Sequence, residues 1–256
     1  MKIFVISLEC ENDRRENIRQ QFLEMDIDYE LVDAVNGKKS NHPLFERYNA
    51  SRRIRIKGEP LTGGQLGCFA SHFLVWQKCI EINEPVIIIE DDAIFNQNLF
   101  KEFLSNMDKL ISSDIKCLRL FRNKSKHHSS FSVCSFENIE VRKYTKGHMS
   151  TTGYYLTPEG AGKFVDGAME WVLPVDMYMD MFWRNKVECY GIEPPCVTND
   201  HKFKSTIDYV PKSNNRRSWS TRFKREAYAA RENFIKILYN TFFIIRYVKH
   251  RFSRCF

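Results

Sequence analysis

Three consecutive carboxylates, Glu90, Asp91 and Asp92, follow directly after the apolar run VIII at residues 86–89. Crowded carboxylates repel one another unless a proton or a cation neutralises them, so the triplet could hold a divalent ion. Oxygen ligands suit Mg²⁺ or Mn²⁺, and such an ion can bridge a diphosphate and stabilise its charge as it leaves. A solvated acidic turn is the alternative interpretation of the same pattern.

Two other segments have residue types that suit an anionic ligand. Arg14 and Arg15 fall in the first turn of a predicted helix, where positive charge opposes the helix dipole. This placement suggests an anion nearby, although a solvated charged turn would also explain it. In GGQLGCFASH at 63–72 the small residues permit close backbone approach, and Ser71 and His72 occupy successive helix positions. His72 could equally be a structural group of the core.

The elements before the triplet predict a parallel sheet. KIFVISL at 2–8 and YELVDAV at 29–35 are typical strands, separated by a helical segment, and the second ends at the turn pair Asn36-Gly37. This βαβ order favours a parallel sheet covered by helices. The unbroken β-branched run at 86–89 is typical of a central strand with both faces covered. Ligands of such sheets bind at the carboxyl ends of strands, which is where the triplet stands.

The rest of the first 200 residues continues this α/β pattern. CLRLF at 117–121 and GYYLT at 153–157 predict strands, and Thr157 with Pro158 predicts the start of a helix. A buried helix is predicted after Gly64, because large apolar side chains recur there every three or four residues. These side chains are Leu66, Phe69, Phe73, Trp76 and Ile80.

Composition is consistent with one catalytic domain, which we place at residues 1–211 of the 256-residue chain. The eight cysteines follow no metal-binding spacing and mostly lie in apolar segments, which favours a reducing compartment. KIFVISL is too short for a signal peptide, and no apolar run reaches the roughly twenty residues of a membrane span. We therefore expect a cytoplasmic protein.

The C-terminal segment, residues 212–256, differs in composition, since aromatic and aliphatic residues alternate there with Arg and Lys. This pattern predicts a basic amphipathic helical tail that contacts anionic lipid at a membrane surface. A helix packed on the domain itself is the alternative. Nucleic acid is not an expected partner, because no recognisable binding motif is present and the acidic triplet would repel phosphate unless a metal intervened.

Taken in order, several segments resemble glycosyltransferase family 25. This lipooligosaccharide-type family includes bacterial β-galactosyltransferases and a domain of collagen galactosyltransferases. The resemblance extends over roughly residues 2–207, and its most specific part is the GxxGCxxSH-type segment followed by the acidic triplet. The matching segments are VISL at 5–8, DRR at 13–15, DAVNG at 33–37, GGQLGCFASH at 63–72, IIIEDDA at 87–93, GYY at 153–155, GAGK at 160–163 and PVD at 174–176.

The resemblance implies a GT-A-type nucleotide-sugar-binding fold with a mixed, mainly parallel central sheet. It also implies a UDP-sugar donor, Mn²⁺ or Mg²⁺ as cofactor, and inversion to a β-linkage. Galactose is the favoured hexose and glucose the next, with a lipid-linked lipooligosaccharide or lipopolysaccharide glycan as acceptor at the inner face of the bacterial inner membrane. Capsule or glycoprotein glycans are alternative acceptors. An inactive nucleotide-sugar-binding scaffold at the membrane is the alternative from another class.

The resemblance also assigns site residues. Asp92 and Glu90 are the expected metal ligands, Asp92 first, and His201 is a further candidate. Asp33 and Ala34 would contact uracil or ribose. The full predicted donor site consists of Ser7, Leu8, Arg14, Arg15, Asp33, Ala34, Gly64, Ser71, His72, Glu90, Asp91, Lys204 and Ser205.

An inverting displacement needs one carboxylate to take the proton of the acceptor hydroxyl. We expect Asp176, which follows Pro174-Val175 at the start of a helix, to be this base, with Asp180 one turn later in reserve. An ordinary helix cap is the alternative role for Asp176.

Overall fold

The computed structural model describes residues 1–39, 41–122, 129–147, 150–199 and 219–253, except for the side chains at 220, 221 and 248–253. The predicted site residues His201, Lys204 and Ser205 lie outside this range. The described chain forms two compact units. Residues 1–48 and 61–199 form the first unit, and residues 49–60 and 219–253 form the second.

Strands and helices alternate through the first unit. The strands of the described chain are β1 (Lys2–Ser7), β2 (Glu30–Asp33), β3 (Val86–Glu90), β4 (Ala93–Phe95), β5 (Cys117–Arg119), β6 (Ser130–Phe136), β7 (Ile139–Tyr144), β8 (Gly153–Leu156), β9 (Tyr190–Glu193) and β10 (Val197–Asn199). Its α-helices are α1 (Asn12–Met25), α2 (Ala50–Lys57), α3 (Gly63–Ile82), α4 (Gln97–Ser105), α5 (Met107–Ile111), α6 (Pro158–Gly167), α7 (Val175–Met179), α8 (Phe182–Asn185) and α9 (Trp219–Ser253). A short 3-10 helix spans Pro43–Arg47.

Within the described residues, eight strands form one sheet in the order β2-β1-β3-β8-β5-β9-β7-β6. β1 is parallel to both β2 and β3, and β5 is parallel to β9. The other pairings are antiparallel, so β7 and β8 run against the remaining six strands. The predicted mixed, mainly parallel α/β sheet is therefore confirmed. A separate antiparallel pair joins β4 to β10.

β3 lies at the centre of this fold with its apolar residues completely buried. Val86 and Ile88 belong to one core cluster and Ile87 and Ile89 to the other, because successive side chains of a strand point to opposite faces. This explains the unbroken apolar run, which a strand exposed on one face would not need.

α3 covers one face of the sheet, as its apolar spacing predicts. Thr62 and Gln65 form a capping box at its start, and Phe69, Phe73 and Trp76 are buried. Ile80 was predicted to be buried with them, but it is 39% exposed near the end of the helix. The start of α6 is as predicted, with Thr157 as the cap and Pro158 as the first helical residue.

The second unit pairs α2 with the long helix α9. Lys57 of α2 lies over the ring of Tyr228, 5.9 Å from its centroid, and Glu232 is buried. The sequence assigned residues 49–60 to the catalytic domain, whereas the structure groups them with the C-terminal helix. Among the described helices, none combines the length and the apolar character that a membrane crossing requires.

Candidate active site

The carboxyl ends of β1, β2 and β3 bring the predicted site residues to one edge of the sheet. Ser7 is in register with Asp33, and Ile6 with Glu90. Hydrogen bonds extend the pairing past the strands, because the N–H of Asp91 donates to the carbonyl of Ile6 at 3.2 Å. The N–H of Ala34 likewise donates to the carbonyl of Ser7 at 2.8 Å. The sheet itself therefore fixes the backbone of the acidic triplet.

A cavity of about 310 Å³ opens at this edge, within the range of about 300–1,000 Å³ usual for small-molecule sites. Ten of the predicted site residues line it: Ser7, Leu8, Arg14, Ala34, Gly64, Ser71, His72, Glu90, Asp91 and Asp92. Residues far apart in sequence thus meet around one space.

Glycine contacts hold the wall of the cavity between the loop after β2 and the start of α3. A Cβ atom added at Gly37 would overlap the carbonyl of Gly63, and one added at Gly67 would overlap the carbonyl of Val35. Only glycine permits this approach of one backbone to another. Ser71 adds a bond across the same contact, because its hydroxyl accepts from the N–H of Val35 at 2.8 Å.

Arg14 and Asp91 form a buried ion pair, with Nη1 of Arg14 2.9 Å from Oδ1 of Asp91. Ser7 donates to the other oxygen of Asp91 at 2.7 Å. Burial raises the pKa of Asp91, while the bonds from Ser7 and Arg14 oppose that rise. The middle carboxylate of the triplet is thus the anionic partner of Arg14. From the sequence, we had expected this partner to be a bound ligand.

Arg15 also has partners within the chain. Its guanidinium donates to Asp33 at 2.5 Å, to the carbonyl of Ser7 at 3.1 Å and to the carbonyl of Leu8 at 3.1 Å. Arg15 therefore ties α1 to the ends of β1 and β2. Neither Arg15 nor Asp33 is among the described residues that line the cavity. Their predicted contacts with a nucleotide stay predictions.

A chain of hydrogen bonds orients Glu90. The indole N–H of Trp76 donates to the hydroxyl of Tyr154 at 2.9 Å, and this hydroxyl lies 2.8 Å from Nδ1 of His72. The tyrosine hydroxyl thus accepts the indole bond and also bonds to Nδ1. Nε2 of His72 lies 3.1 Å from Oε1 of Glu90 and donates to it, because an ionised carboxylate only accepts.

Thr151 donates to the same oxygen of Glu90 at 2.5 Å. Burial alone would raise the pKa of Glu90, but the hydrogen bonds from His72 and Thr151 lower it below its ordinary value. Ligand atoms of Cys68, His72 and Glu90 lie within 4.8 Å of one another. Because both ring nitrogens of His72 are engaged, this side chain positions Glu90 and is poorly suited to bind a metal directly.

Asp92 has the unsatisfied oxygen of the triplet. Its Oδ1 is buried and has no hydrogen-bond partner among the described residues. Burial and the charge of Glu90 raise the pKa of Asp92 to about 7. A buried carboxylate in this situation needs either a proton or a cation. The chemistry of Asp92 and Glu90 therefore fits a hard divalent ion, and the metal itself stays a prediction.

Asp176 shares the electrostatic environment of the triplet, although it is not among the described residues lining the cavity. Burial raises the pKa of Asp176, and the negative charge of Glu90 raises it further. Pro174 occupies the cap position of α7, and Asp176 accepts a bond from the adjacent N–H of Met177 at 2.7 Å. It does not form the usual capping bond, so the alternative role as an ordinary cap does not apply.

Asp180, the reserve base, has a different setting. Its Oδ1 lies 3.3 Å from Nη2 of Arg119, and both side chains are buried. A carboxylate held by a buried guanidinium is a weak base, because the pair favours the charged form. This geometry favours Asp176 over Asp180 as the proton acceptor.

Among the residues of the site that the sequence did not single out are Lys38, Cys68 and Thr151. Lys38 and Cys68 line the cavity, and Thr151 bonds to Glu90. The turn Asn36-Gly37 could have pointed to Lys38, because loops after parallel strands border the ligand site. No local signal marks Thr151, which lies 61 residues from its partner in sequence.

Known proteins similar to this chain include glycan-building enzymes. The chain is 28% identical to procollagen galactosyltransferase 2 of Homo sapiens, over 72% of this chain and 30% of that protein. It is 29% identical to lipooligosaccharide biosynthesis protein lic2B of Haemophilus influenzae, over 61% of this chain and 59% of that protein. It is also 24% identical to inactive glycosyltransferase 25 family member 3 of Mus musculus, over 78% of this chain and 37% of that protein.

This chain spans only about a third of the procollagen galactosyltransferase that it matches. A family model gives a match that does not depend on any single relative. The model of glycosyltransferase family 25, described as LPS biosynthesis protein, matches residues 1–179, which include the whole cavity and Asp176. The chain belongs to glycosyltransferase family 25.

Proposed function

We propose that this protein transfers a hexose from a UDP-sugar to a lipooligosaccharide or lipopolysaccharide glycan, with inversion to a β-linkage. Galactose is the favoured hexose and glucose the next. The names of two relatives support this choice, since one is a procollagen galactosyltransferase and another a lipooligosaccharide biosynthesis protein. A lipid-linked acceptor would place the reaction at the inner face of the bacterial inner membrane.

The observation that carries the proposal is the buried Oδ1 of Asp92, which has no hydrogen-bond partner among the described residues and belongs to a residue lining the cavity. Asp92, with Glu90 beside it, would hold Mn²⁺ or Mg²⁺, which stabilises the charge of a departing diphosphate. Asp91 is already neutralised by Arg14, so it is not needed as a ligand. A cation thus matches the carboxylate oxygen of the triplet that the described residues leave without a hydrogen-bond partner.

The remaining steps depend on residues of the chain. Asp176 takes the proton of the acceptor hydroxyl, and its raised pKa brings the base closer to neutral pH. His72 and Thr151 fix one oxygen of Glu90, a residue that lines the cavity. Lys38, exposed at the cavity, offers a positive charge to a diphosphate. Gly64 allows the donor to approach the start of α3 closely.

The test is a screen of UDP-sugars with purified protein, with and without Mn²⁺, in which released UDP and the mass of the extended acceptor are measured. We expect metal-dependent transfer from one UDP-hexose. A protein that binds UDP-sugars but neither hydrolyses nor transfers them would instead be the inactive nucleotide-sugar-binding scaffold. Binding of UDP-sugars must be measured alongside turnover, because one relative is named as an inactive family member.

The acceptor class is tested separately. Truncated lipooligosaccharide, capsule fragments and a glycoprotein acceptor are offered with the same donor. Extension of the lipooligosaccharide alone supports the proposal. Extension of only capsule or glycoprotein would leave the proposed transferase activity in place but change the proposed acceptor class.

A further inference from the structure

Helix α9 has two faces of different character. One face contains side chains that are buried or half-buried, among them Arg225, Tyr228, Glu232 and Ile235. The opposite face exposes large apolar side chains, which we name the apolar stripe. The apolar stripe consists of Trp219, Phe223, Phe234, Ile237, Leu238, Phe242, Ile244 and Ile245.

The apolar stripe follows the helical repeat. From Phe234, further members lie at +3, +4 and +11, which places Ile237, Leu238 and Ile245 on the same side of the helix. Phe234 is 62% exposed and Phe242 is 63% exposed. Scattered exposed apolar residues are normal on protein surfaces, but a group of six within 12 residues of one helix, as from Phe234 to Ile245, marks an interaction surface.

Positive charge accompanies the apolar stripe. Arg222, Lys224, Arg231 and Arg246 are exposed on α9. Over its whole length, the helix has eight Lys and Arg residues against two Glu residues. A second copy of this helix would bring like charges together, whereas a surface rich in anionic lipid would complement them.

We propose that α9 lies in the interface of a bilayer rich in anionic lipid. The apolar stripe inserts between the acyl chains, and the exposed cations contact the phosphate headgroups. A 35-residue helix is about 50 Å long, so it can present its whole row of side chains to one flat surface. The proposal concerns attachment alone and does not depend on the chemistry of the cavity.

The experiment measures co-sedimentation of the full-length protein with vesicles, without any sugar donor. One set of vesicles contains phosphatidylglycerol and phosphatidylethanolamine, and the other contains phosphatidylcholine alone. We expect binding to the anionic set that weakens as salt is added, because screening reduces attraction between exposed charges. Equal binding to both sets, or to neither, would overturn the proposal.

Two groups of variants separate the apolar and the charged contributions. Phe234→Ser with Ile237→Ser should abolish sedimentation, whereas the matched control Leu23→Ser, at a 65% exposed leucine of α1, should not change it. Arg222→Gln, Lys224→Gln and Arg231→Gln together should lower the partition constant roughly a hundred-fold, at about five-fold for each cation. Lys101→Gln, an exposed lysine of α4, is the control.

Circular dichroism and analytical ultracentrifugation complete the test. The stripe variants should keep the helical content and the sedimentation coefficient of the parent protein. If the parent is a dimer that Phe234→Ser with Ile237→Ser dissociates, and neither form binds vesicles, then the apolar stripe is an interface between copies of the chain and the proposal fails.

Discussion

Arg14 and Asp91 join the first turn of α1 to the end of β3 through a buried ion pair of 2.9 Å. We expect Arg14→Met to lower the free energy of unfolding by about 3–5 kcal/mol, because Asp91 would keep its charge without its partner. Urea denaturation measures the loss. The control Arg19→Met removes an exposed ion pair with Glu16 and should leave the midpoint nearly unchanged. Lost UDP affinity at unchanged stability would instead make Arg14 a direct nucleotide ligand.

Asp92→Asn tests the cation site through stability alone. The pKa of Asp92 in the folded protein is about 7, above its ordinary value of 3.8, so the folded state holds this proton more tightly. Stability without divalent ions should therefore fall as pH rises from 3.8 through about 7, and less so in the variant. The melting temperatures of the parent protein and of Asp92→Asn, measured across this pH range, test this pH dependence.

Addition of Mn²⁺ at pH 8 should raise the melting temperature of the parent protein, because a ligand of the folded state stabilises it by mass action. Asp92→Asn should lose this rise. Equal stabilisation of both proteins by Mn²⁺ would place the ion elsewhere.

Asp176→Asn should lower kcat by about a hundred-fold to ten-thousand-fold and leave UDP affinity largely intact, because the base acts on the acceptor rather than on the donor. Calorimetry with UDP and steady-state transfer rates separate the two quantities. Asp180→Asn is the comparison, and it should mainly lower stability, since buried Arg119 loses its charged partner. A larger loss of kcat in folded Asp180→Asn would reverse the two roles.

Tyr154→Phe should lower the free energy of unfolding by about 1–3 kcal/mol, since the indole N–H of Trp76 and Nδ1 of His72 both lose their partner. Tyr155→Phe is a matched control in the next residue, because that buried hydroxyl has no hydrogen-bond partner among the described residues. Its removal should cost little stability.

The sequence predicted the fold well at positions where the residues strongly prefer one kind of secondary structure. The unbroken β-branched VIII run predicted a central strand, and Thr157-Pro158 predicted the start of α6, because each residue favours its observed position. The end of α3 was less predictable, since Ile80 fits the apolar spacing but is partly exposed. Apolar spacing predicts which face of a helix a side chain lies on. It does not predict how far along the helix the packed neighbouring elements reach.

The members of the site were easier to predict than their roles. Glu90, Asp91 and Asp92 are adjacent in sequence, yet each has a different partner: His72 with Thr151, Arg14 with Ser7, and none for Oδ1 of Asp92 among the described residues. Those partners come from distant segments of the chain. The different interactions of the three carboxylates therefore depend on tertiary packing.

The contact of Gly37 with Gly63, and of Gly67 with Val35, is made by main-chain atoms. Side chains can change rotamer to admit a bulkier guest, but two peptide planes in van der Waals contact have no such freedom. The position of this wall is consequently set by the backbone, so a change in the width of the cavity there requires movement of the main chain itself.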